Sequence, residues 1–249
     1  MKKNIFLSLF KHPKPIIGMV HLYGDTPEER LAIAQKEIDI MINHGIDAVL
    51  VENYFDRSLD GVTAVLRYLY KKKNRPIFGI NILGDYEEAF NLASLFDADF
   101  IQIDSVAGHL PTEIVNRDEQ FGDQLNEYRS LTDIPVLGGV RFKYQKVLSE
   151  RTLSDDLRVG MKRCDGIVVT GDRTGQQTAI QKITLFRNTI GEFPLILGAG
   201  LTAENCHESM SICDAAIVGS YIKDTHRDMG IVSADHVKKL MKEVNKIRN

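Results

Sequence analysis

The sequence predicts a single (β/α)8 barrel, an α/β fold, and three observations predict it. Eight short apolar runs alternate with longer segments of helical period. The runs carry almost no polar alternation, as parallel strands buried on both faces require. The chain has 249 residues, close to the ~250 that one such barrel uses. A doubly wound open sheet is the rival architecture, but it more often has about five to seven strands and a phosphate loop near its start. Here the first run reads Ile16-Ile17-Gly18-Met19-Val20-His21, with neither G-x-G-x-x-G nor G-x-x-x-x-G-K-[ST] behind it.

The elements follow in order. Met1 to Phe10 offers two lysines and then a short apolar run that stops at Lys11 and His12. With no small-residue cleavage site behind it, this run reads as a short amphipathic helix, and residues 1–14 as a segment covering one end of the core. The strands are expected at Ile16 to Leu22, Ala48 to Val51, Ile77 to Ile80, Phe100 to Ile103, Val136 to Val140, Ile167 to Val169, Leu195 to Leu197 and Ala215 to Val218. Thr26-Pro27-Glu28-Glu29 supplies a cap, a first-turn proline and acids for the first helix, which Asn43-His44-Gly45 stops. Ser58 to Tyr70 is the second helix, and Lys71-Lys72-Lys73 sits at its C-terminus, where the helix dipole favours cations. Asp85 to Phe96, Gln120 to Leu131, Leu153 to Arg163, Thr178 to Thr189, Thr202 to Cys213 and Ser233 to Ile247 complete the set. No Pro/Gly/Ser-rich linker divides residues 1–249, so one domain is expected.

Composition narrows the partners. Hydrophobic residues make up 43% and charged residues 26%, which describes a chain that folds around a large core. Lys plus Arg number 31 against 34 Asp plus Glu, a net charge of −3, so no nucleic acid or anionic membrane surface is expected as a partner. No apolar stretch approaches the roughly 18 residues of a spanning helix, and no integral membrane segment is expected. Cys164, Cys206 and Cys213 form no Cys-x-x-Cys and suggest neither a disulfide framework nor a zinc site, which points to a reducing cytoplasm. The apolar stretch Ile5 to Phe10 suits either a homo-oligomer contact or the barrel bottom.

In a barrel the chemistry sits at the C-terminal ends of the strands. The polar residues closing the apolar runs are His21, Glu52 with Asn53, Asn81, Asp104 with Ser105, Arg141 with Lys143, and Thr170 with Asp172. The strongest local signal is a pair of glycine loops at consecutive strand ends, Gly198-Ala199-Gly200-Leu201-Thr202 and Ala216-Ile217-Val218-Gly219-Ser220. Backbone without side chains can approach a phosphate and point N–H groups at it, and Ser220 can add a hydroxyl. Thr170-Gly171-Asp172-Arg173-Thr174-Gly175 is a third, polar loop that can hold a phosphate or the rest of a ligand.

Glu52 and Asp104 are the acid-base candidates, since partial desolvation at a strand end moves a carboxyl toward a useful pKa; the structural alternative is an ion pair with Arg141 or Lys143. Lys143 suits a substrate cation or a Schiff-base nucleophile. His21 suits proton exchange or orientation of a carboxylate, or a core histidine bonded to backbone. His21, Glu52 and Asp104 lack a diagnostic ligand spacing, so no metal is assigned, and no cofactor is either. His109 and the acids of Asn116 to Asp123 fall in a long connection after the fourth strand that reads as a lid or a disordered loop.

Lys14-Pro15-Ile16-Ile17-Gly18-Met19-Val20-His21-Leu22 and Gly45-Ile46-Asp47-Ala48-Val49-Leu50-Val51-Glu52-Asn53 resemble the opening of the BtpA/SgcQ family. The likeness continues through Gly79-Ile80-Asn81-Ile82-Leu83, Ala98-Asp99-Phe100-Ile101, Asp165 to Gly171 and Gly198 to Asn205, and so spans nearly the whole chain. The resemblance implies a TIM barrel of the ribulose-phosphate-binding type. It also implies links to photosystem I biogenesis or to sugar-metabolism gene clusters, and a pocket at His21, Glu52, Asn53, Asn81, Thr170, Gly171, Gly198, Gly200 and Gly219. Two departures lie at the mouth: Tyr23-Gly24-Asp25-Thr26-Pro27 is shorter than the family's loop, and Tyr54-Phe55-Asp56-Arg57 replaces its commoner Gly-Asp pattern.

The expectation is a barrel enzyme acting on a small phosphorylated sugar or nucleotide-derived substrate, as an isomerase, a lyase or a phosphoribosyl-type transferase. Gly198, Ala199, Gly200, Gly219 and Ser220 grip the phosphate, and Asn53, Asn81, Thr170, Gly171 and Asp172 contact the rest. The alternative is a non-catalytic binding or complex-assembly factor that retains the barrel and its anion pocket.

Overall fold

The computed structural model describes residues 5–55, 57–108 and 118–248. His109, Asn116 and Arg117 of the long connection, residues 1–4 of the leading segment and Asp56 lie outside the described residues. Eight parallel strands close into a barrel in sequence order: β1 (Ile16–Val20), β2 (Ala48–Glu52), β3 (Ile77–Asn81), β4 (Phe100–Ala107), β5 (Val136–Val140), β6 (Gly166–Val169), β7 (Leu195–Leu197) and β8 (Ala215–Val218). Helices alternate with them: α1 (Pro27–Asn43), α2 (Leu59–Lys71), α3 (Tyr86–Phe96), α4 (Asp118–Ser130), α5 (Leu153–Arg163), α6 (Ile180–Ile190), α7 (Cys206–Ile212) and α8 (Ala234–Arg248). The barrel predicted from the sequence is therefore the fold.

Local chemistry starts the helices. The side chains of Thr26, Ser58, Asp85 and Thr152 accept bonds from backbone N–H groups of the first turns of α1, α2, α3 and α5. Two boundaries differ from expectation by four residues, and the others by two or fewer, β1 ending at Val20 and not Leu22. β4 runs on to Ala107 through a register shift after Ile103, where Gly139 on β5 lets the Asp104 carbonyl approach so closely that a Cβ there would lie 2.0 Å from its oxygen. α7 begins at Cys206 rather than Thr202, because Thr202 and Asn205 engage each other first: Thr202 N donates to Asn205 Oδ1 at 2.8 Å and Asn205 N to Thr202 Oγ1 at 3.2 Å.

Strand alternation sorts the side chains into two cores. Outward residues such as Val49, Val51 and Ile80 pack under the helices with Ile38, Met41, Val62 and Leu66. Inward residues fill the barrel: Ile17 and Met19, Ala48 and Leu50, Phe100, Leu137, Val168, Ile196, Ala215 and Ile217 form one cluster. Gly79 leaves the space that the Phe100 ring occupies, since a Cβ there would lie 2.2 Å from it. Phe6 enters this inner cluster fully buried, edge-on to Phe100 with centroids 5.6 Å apart, beside a single 3-10 turn at Leu7–Leu9. That insertion stops the bottom of the barrel.

Four aspartates close the rim of the bottom. Asp47, Asp99, Asp165 and Asp214 each precede an even-numbered strand and accept the N–H of Ile16, Phe78, Val136 or Leu195 on the odd-numbered strand before it, at 2.7–2.9 Å. Each also pairs with an arginine, in order Arg248, Arg75, Arg129 and Arg187.

Candidate functional site

One further step along the inward face brings each strand to its C-terminal end. Two residues beyond Met19, Leu50, Gly79, Gln102, Ile196 and Ile217 stand His21, Glu52, Asn81, Asp104, Gly198 and Gly219. These six residues therefore converge on one mouth because the β period of two puts them on the inward face, whereas Asn53, Arg141 and Asp172, also picked from strand ends, do not line it. Two connected chambers open there. An inner cavity of about 300 Å³ is walled by Gly198 to Thr202, by Gly219, Ser220 and Tyr221, and by Met19, His21, Gln102 and Phe142. An outer one of about 830 Å³ is walled by Tyr54, Arg57, Tyr86, Asp104, Ser105 and Phe121 among others. Glu52 and Lys143 belong to both walls and mark the junction.

Asn81 organises the carboxyls. Its buried Nδ2 donates to Glu52 Oε1 at 2.7 Å and to Asp104 Oδ1 at 2.9 Å, and Gln102 Nε2 donates to the same Asp104 oxygen at 3.1 Å. With Oε1 engaged, Glu52 Oε2 faces His21 Nε2 at 3.9 Å. Burial, and then the charge of Asp104, push the Glu52 carboxyl up to about 8 against the pull of Lys143 and Asn81. Burial, then the cations Lys223 and Lys143, take the His21 imidazole down to about 3. Among the described residues His21 Nδ1 is buried with no hydrogen-bond partner, and its ring lies 4.7 Å from that of Tyr54.

The glycine loops are shaped by necessity. Gly200 sits at φ +77°, and a Cβ there would lie 2.2 Å from the Gln176 carbonyl oxygen; only glycine lets the loops after β6 and β7 close on each other. Gly219 leaves room for His21, whose Cε1 would be 3.1 Å from a Cβ. After the 3-10 turn Ser220–Ile222, the loop is anchored by Lys223, which is fully buried and ion-paired with Glu37 on α1.

Other predicted residues take supporting places. Asn53 lies outside both chamber walls; its Oδ1 accepts Leu83 N at 2.8 Å and its Nδ2 donates to Arg57 O at 3.2 Å, tying the loops after β2 and β3. Thr170 accepts Lys143 N at 3.1 Å and so aims the lysine. Gly171 and Asp172 flank an adjoining outer groove that Lys143 also lines, with Asp172 exposed. Arg141 turns away from the mouth to pair with the fully buried Asp156. Among the described residues no group of three His, Cys, Asp or Glu is arranged to hold a metal, and no helix is long and apolar enough to cross a membrane.

Sequence reasoning missed Gln102, Tyr144 and His226, and placed Tyr54 and Arg57 at the mouth without giving them a role. Gln102 had a legible signal, a polar residue two positions before Asp104 inside an apolar run. The others lie on loops whose path no periodicity reports. Over the mouth, the Tyr54 hydroxyl donates to Asp228 Oδ2 at 2.9 Å, and Thr174 N donates to the Tyr144 hydroxyl at 2.8 Å.

Comparison with known proteins agrees with the fold. An uncharacterized protein of Methanocaldococcus jannaschii is 29% identical over 97% of this chain and 99% of its own. A photosystem I biogenesis protein, BtpA, of Synechocystis is 25% identical over 86% of this chain and 82% of its own. The crystal structure of phosphoribosyl anthranilate isomerase from Thermus thermophilus superposes with a TM-score of 0.59 over 94% of this chain and all (100%) of that one, at 14% identity. The BtpA family model matches residues 12–246, and the chain belongs to the BtpA family.

Proposed function

We propose that the protein is an enzyme acting on a small phosphorylated sugar or nucleotide-derived substrate, with the phosphate in the inner chamber and proton transfer at Glu52. The observation that carries the reading is the position of Glu52. Among the described residues it is the one carboxyl in the wall of the glycine-lined chamber, it stands where the two chambers meet, and its pKa of about 8 leaves it able to give or take a proton near neutrality. The amides of the loops after β7 and β8, with the Ser220 hydroxyl, supply donors to an anion. Lys143 at the junction stabilises negative charge developing beside Glu52. An isomerase, a lyase or a phosphoribosyl-type transferase each uses such an arrangement.

The test is a screen of phosphosugars and nucleotides for thermal stabilisation and for product, run on the native protein, on Ser220→Asp and on Ser220→Ala. Ligands that stabilise the native and alanine forms but not the aspartate form support the anion chamber. Equal stabilisation of all three, or none in any, refutes it. The Synechocystis relative is named a photosystem I biogenesis protein, and that favours a second reading, an assembly factor without turnover. That reading holds if Glu52→Gln leaves cellular function intact while changes on the outer helices abolish it.

A further inference from the structure

The outer chamber has its own chemistry, which the phosphate grip does not use. Two cations face it without a carboxylate partner among the described residues. Lys143 stands at the junction with its Nζ 5.5 Å from the Phe142 ring centroid. Arg57 lines the wall, and its charge reaches Glu52, lowering that carboxyl's pKa. Arg57 is also held there deliberately: it is a non-glycine residue at φ +57°, and its carbonyl is clamped by Asn53, which is itself tied to Leu83. A left-handed arginine costs conformational energy that the surroundings must offset, and such residues cluster at ligand sites.

Among the described residues, none of the acids of the same wall forms an ion pair with either cation. Glu52 holds its proton at neutral pH, and Asp85 Oδ1 is engaged capping α3 through Glu88 N at 3.0 Å. Asp104 is gripped by the neutral amides of Asn81 and Gln102. A second, independent observation points to a ligand. Of the buried side-chain polar atoms without a partner among the described residues, three lie in the walls of the two chambers: Ser105 Oγ in the outer, and Gln102 Oε1 and His21 Nδ1 in the inner. A buried polar atom left unpaired is unfavourable until something fills the site. Because the Asp104 carboxylate only accepts, Gln102 must present Nε2 to it, and Oε1 is thereby left for a ligand hydroxyl.

We propose that the outer chamber is the subsite for a second anionic group of the substrate, held by Arg57 and Lys143, so that the molecule carries a phosphate at one end and a carboxylate or second phosphate at the other. Its hydroxyl-bearing middle then passes Glu52 and Gln102. This inference rests on the proposed phosphate grip and extends it to substrate class.

The test measures the affinities of ribose 5-phosphate, 6-phosphogluconate and ribulose 1,5-bisphosphate for the native protein, Arg57→Gln and Arg57→Lys. The expected result is that at least one of the doubly anionic compounds binds the native protein about tenfold or more tightly than ribose 5-phosphate, the size of one charge-assisted contact. Which of the two does so tells carboxylate from phosphate. Arg57→Gln then brings the affinities within about twofold of each other, and Arg57→Lys restores part of the gap. If ribose 5-phosphate binds as tightly as both others, or the gap survives Arg57→Gln, the second anion subsite is wrong while the phosphate grip stands. If none of the three binds, the phosphate grip falls and this subsite with it.

Discussion

Glu52 Oε2 stands 3.9 Å from Nε2 of His21, and at neutral pH the proton of this pair resides on the carboxyl. The pair is a protonated acid facing a neutral imidazole and not an ion pair, because burial raises the Glu52 pKa to about 8 and lowers that of His21 to about 3. A carboxyl in that state donates first and accepts later. Glu52→Gln preserves the acceptor for Asn81 but removes the proton. We expect kcat on the native substrate to fall by roughly 10²–10⁴ with KM changed less than about threefold. Steady-state kinetics on the two proteins is the check, and a loss confined to KM makes Glu52 a binding group only.

The same two groups shape stability against pH. Between pH 3 and 4.5 the unfolded chain holds a His21 proton that the native state lacks, so their joint contribution rises with pH. From 4.5 to 6.5 the unfolded chain still binds that proton but has lost the one Glu52 keeps when folded, and the two effects cancel. From 6.5 to 8 only the Glu52 effect remains and the contribution falls, on the order of 1 kcal/mol per pH unit. Denaturation midpoints of Glu52→Gln followed from pH 4 to 9 should lose that decline. A native-minus-variant difference that is flat with pH contradicts the raised pKa.

Gly200 and Gly191 separate conformational strain from collision. Both have positive φ, +77° and +62°, but a Cβ at Gly200 meets the Gln176 backbone whereas one at Gly191 meets nothing within 4 Å. Gly191→Ala should cost about 1–3 kcal/mol, since φ +62° with ψ −123° lies outside the left-handed helical region and favours glycine. Gly200→Ala should cost at least about twice that and also abolish phosphosugar binding. Thermal melts of the two variants decide it, and equal losses would mean the loops after β6 and β7 can part at no cost.

At the bottom rim, replacing Asp47, Asp99, Asp165 or Asp214 by alanine leaves a strand N–H unpaired and takes one carboxylate partner from an arginine that keeps its other contacts. Each should cost about 1–3 kcal/mol. Pairs of these changes share no partner, so urea midpoints should show near-additive losses. Ligand affinity at the opposite end should not change.

The fold and half of the site were legible for one reason. A buried parallel strand must be apolar until it reaches the mouth, so the residue that breaks each run is both the strand's end and a wall of the site. His21, Glu52, Asn81 and Asp104 are read that way, and so are the glycines of the loops after β7 and β8. The same rule hid Gln102, which breaks its strand one step early, inside what looked like core. Arg57, Tyr54 and Tyr144 belong to loops, where position depends on hydrogen bonds such as Asn53 to Leu83 N that no local pattern announces. The Lys223–Glu37 pair joins residues 186 positions apart, beyond any reading of periodicity.

The four aspartate–arginine closures give the barrel a symmetry at one end only. Each spans one odd and one even strand, so the bottom of the barrel obeys a fourfold arithmetic in units of two strands and two helices. The top obeys none, for no two quarters offer the same residues to the mouth. A scaffold copied in quarters can let one rim diverge freely while the other preserves the architecture. In this chain the two-strand repeat is seen only on the rim opposite the candidate site.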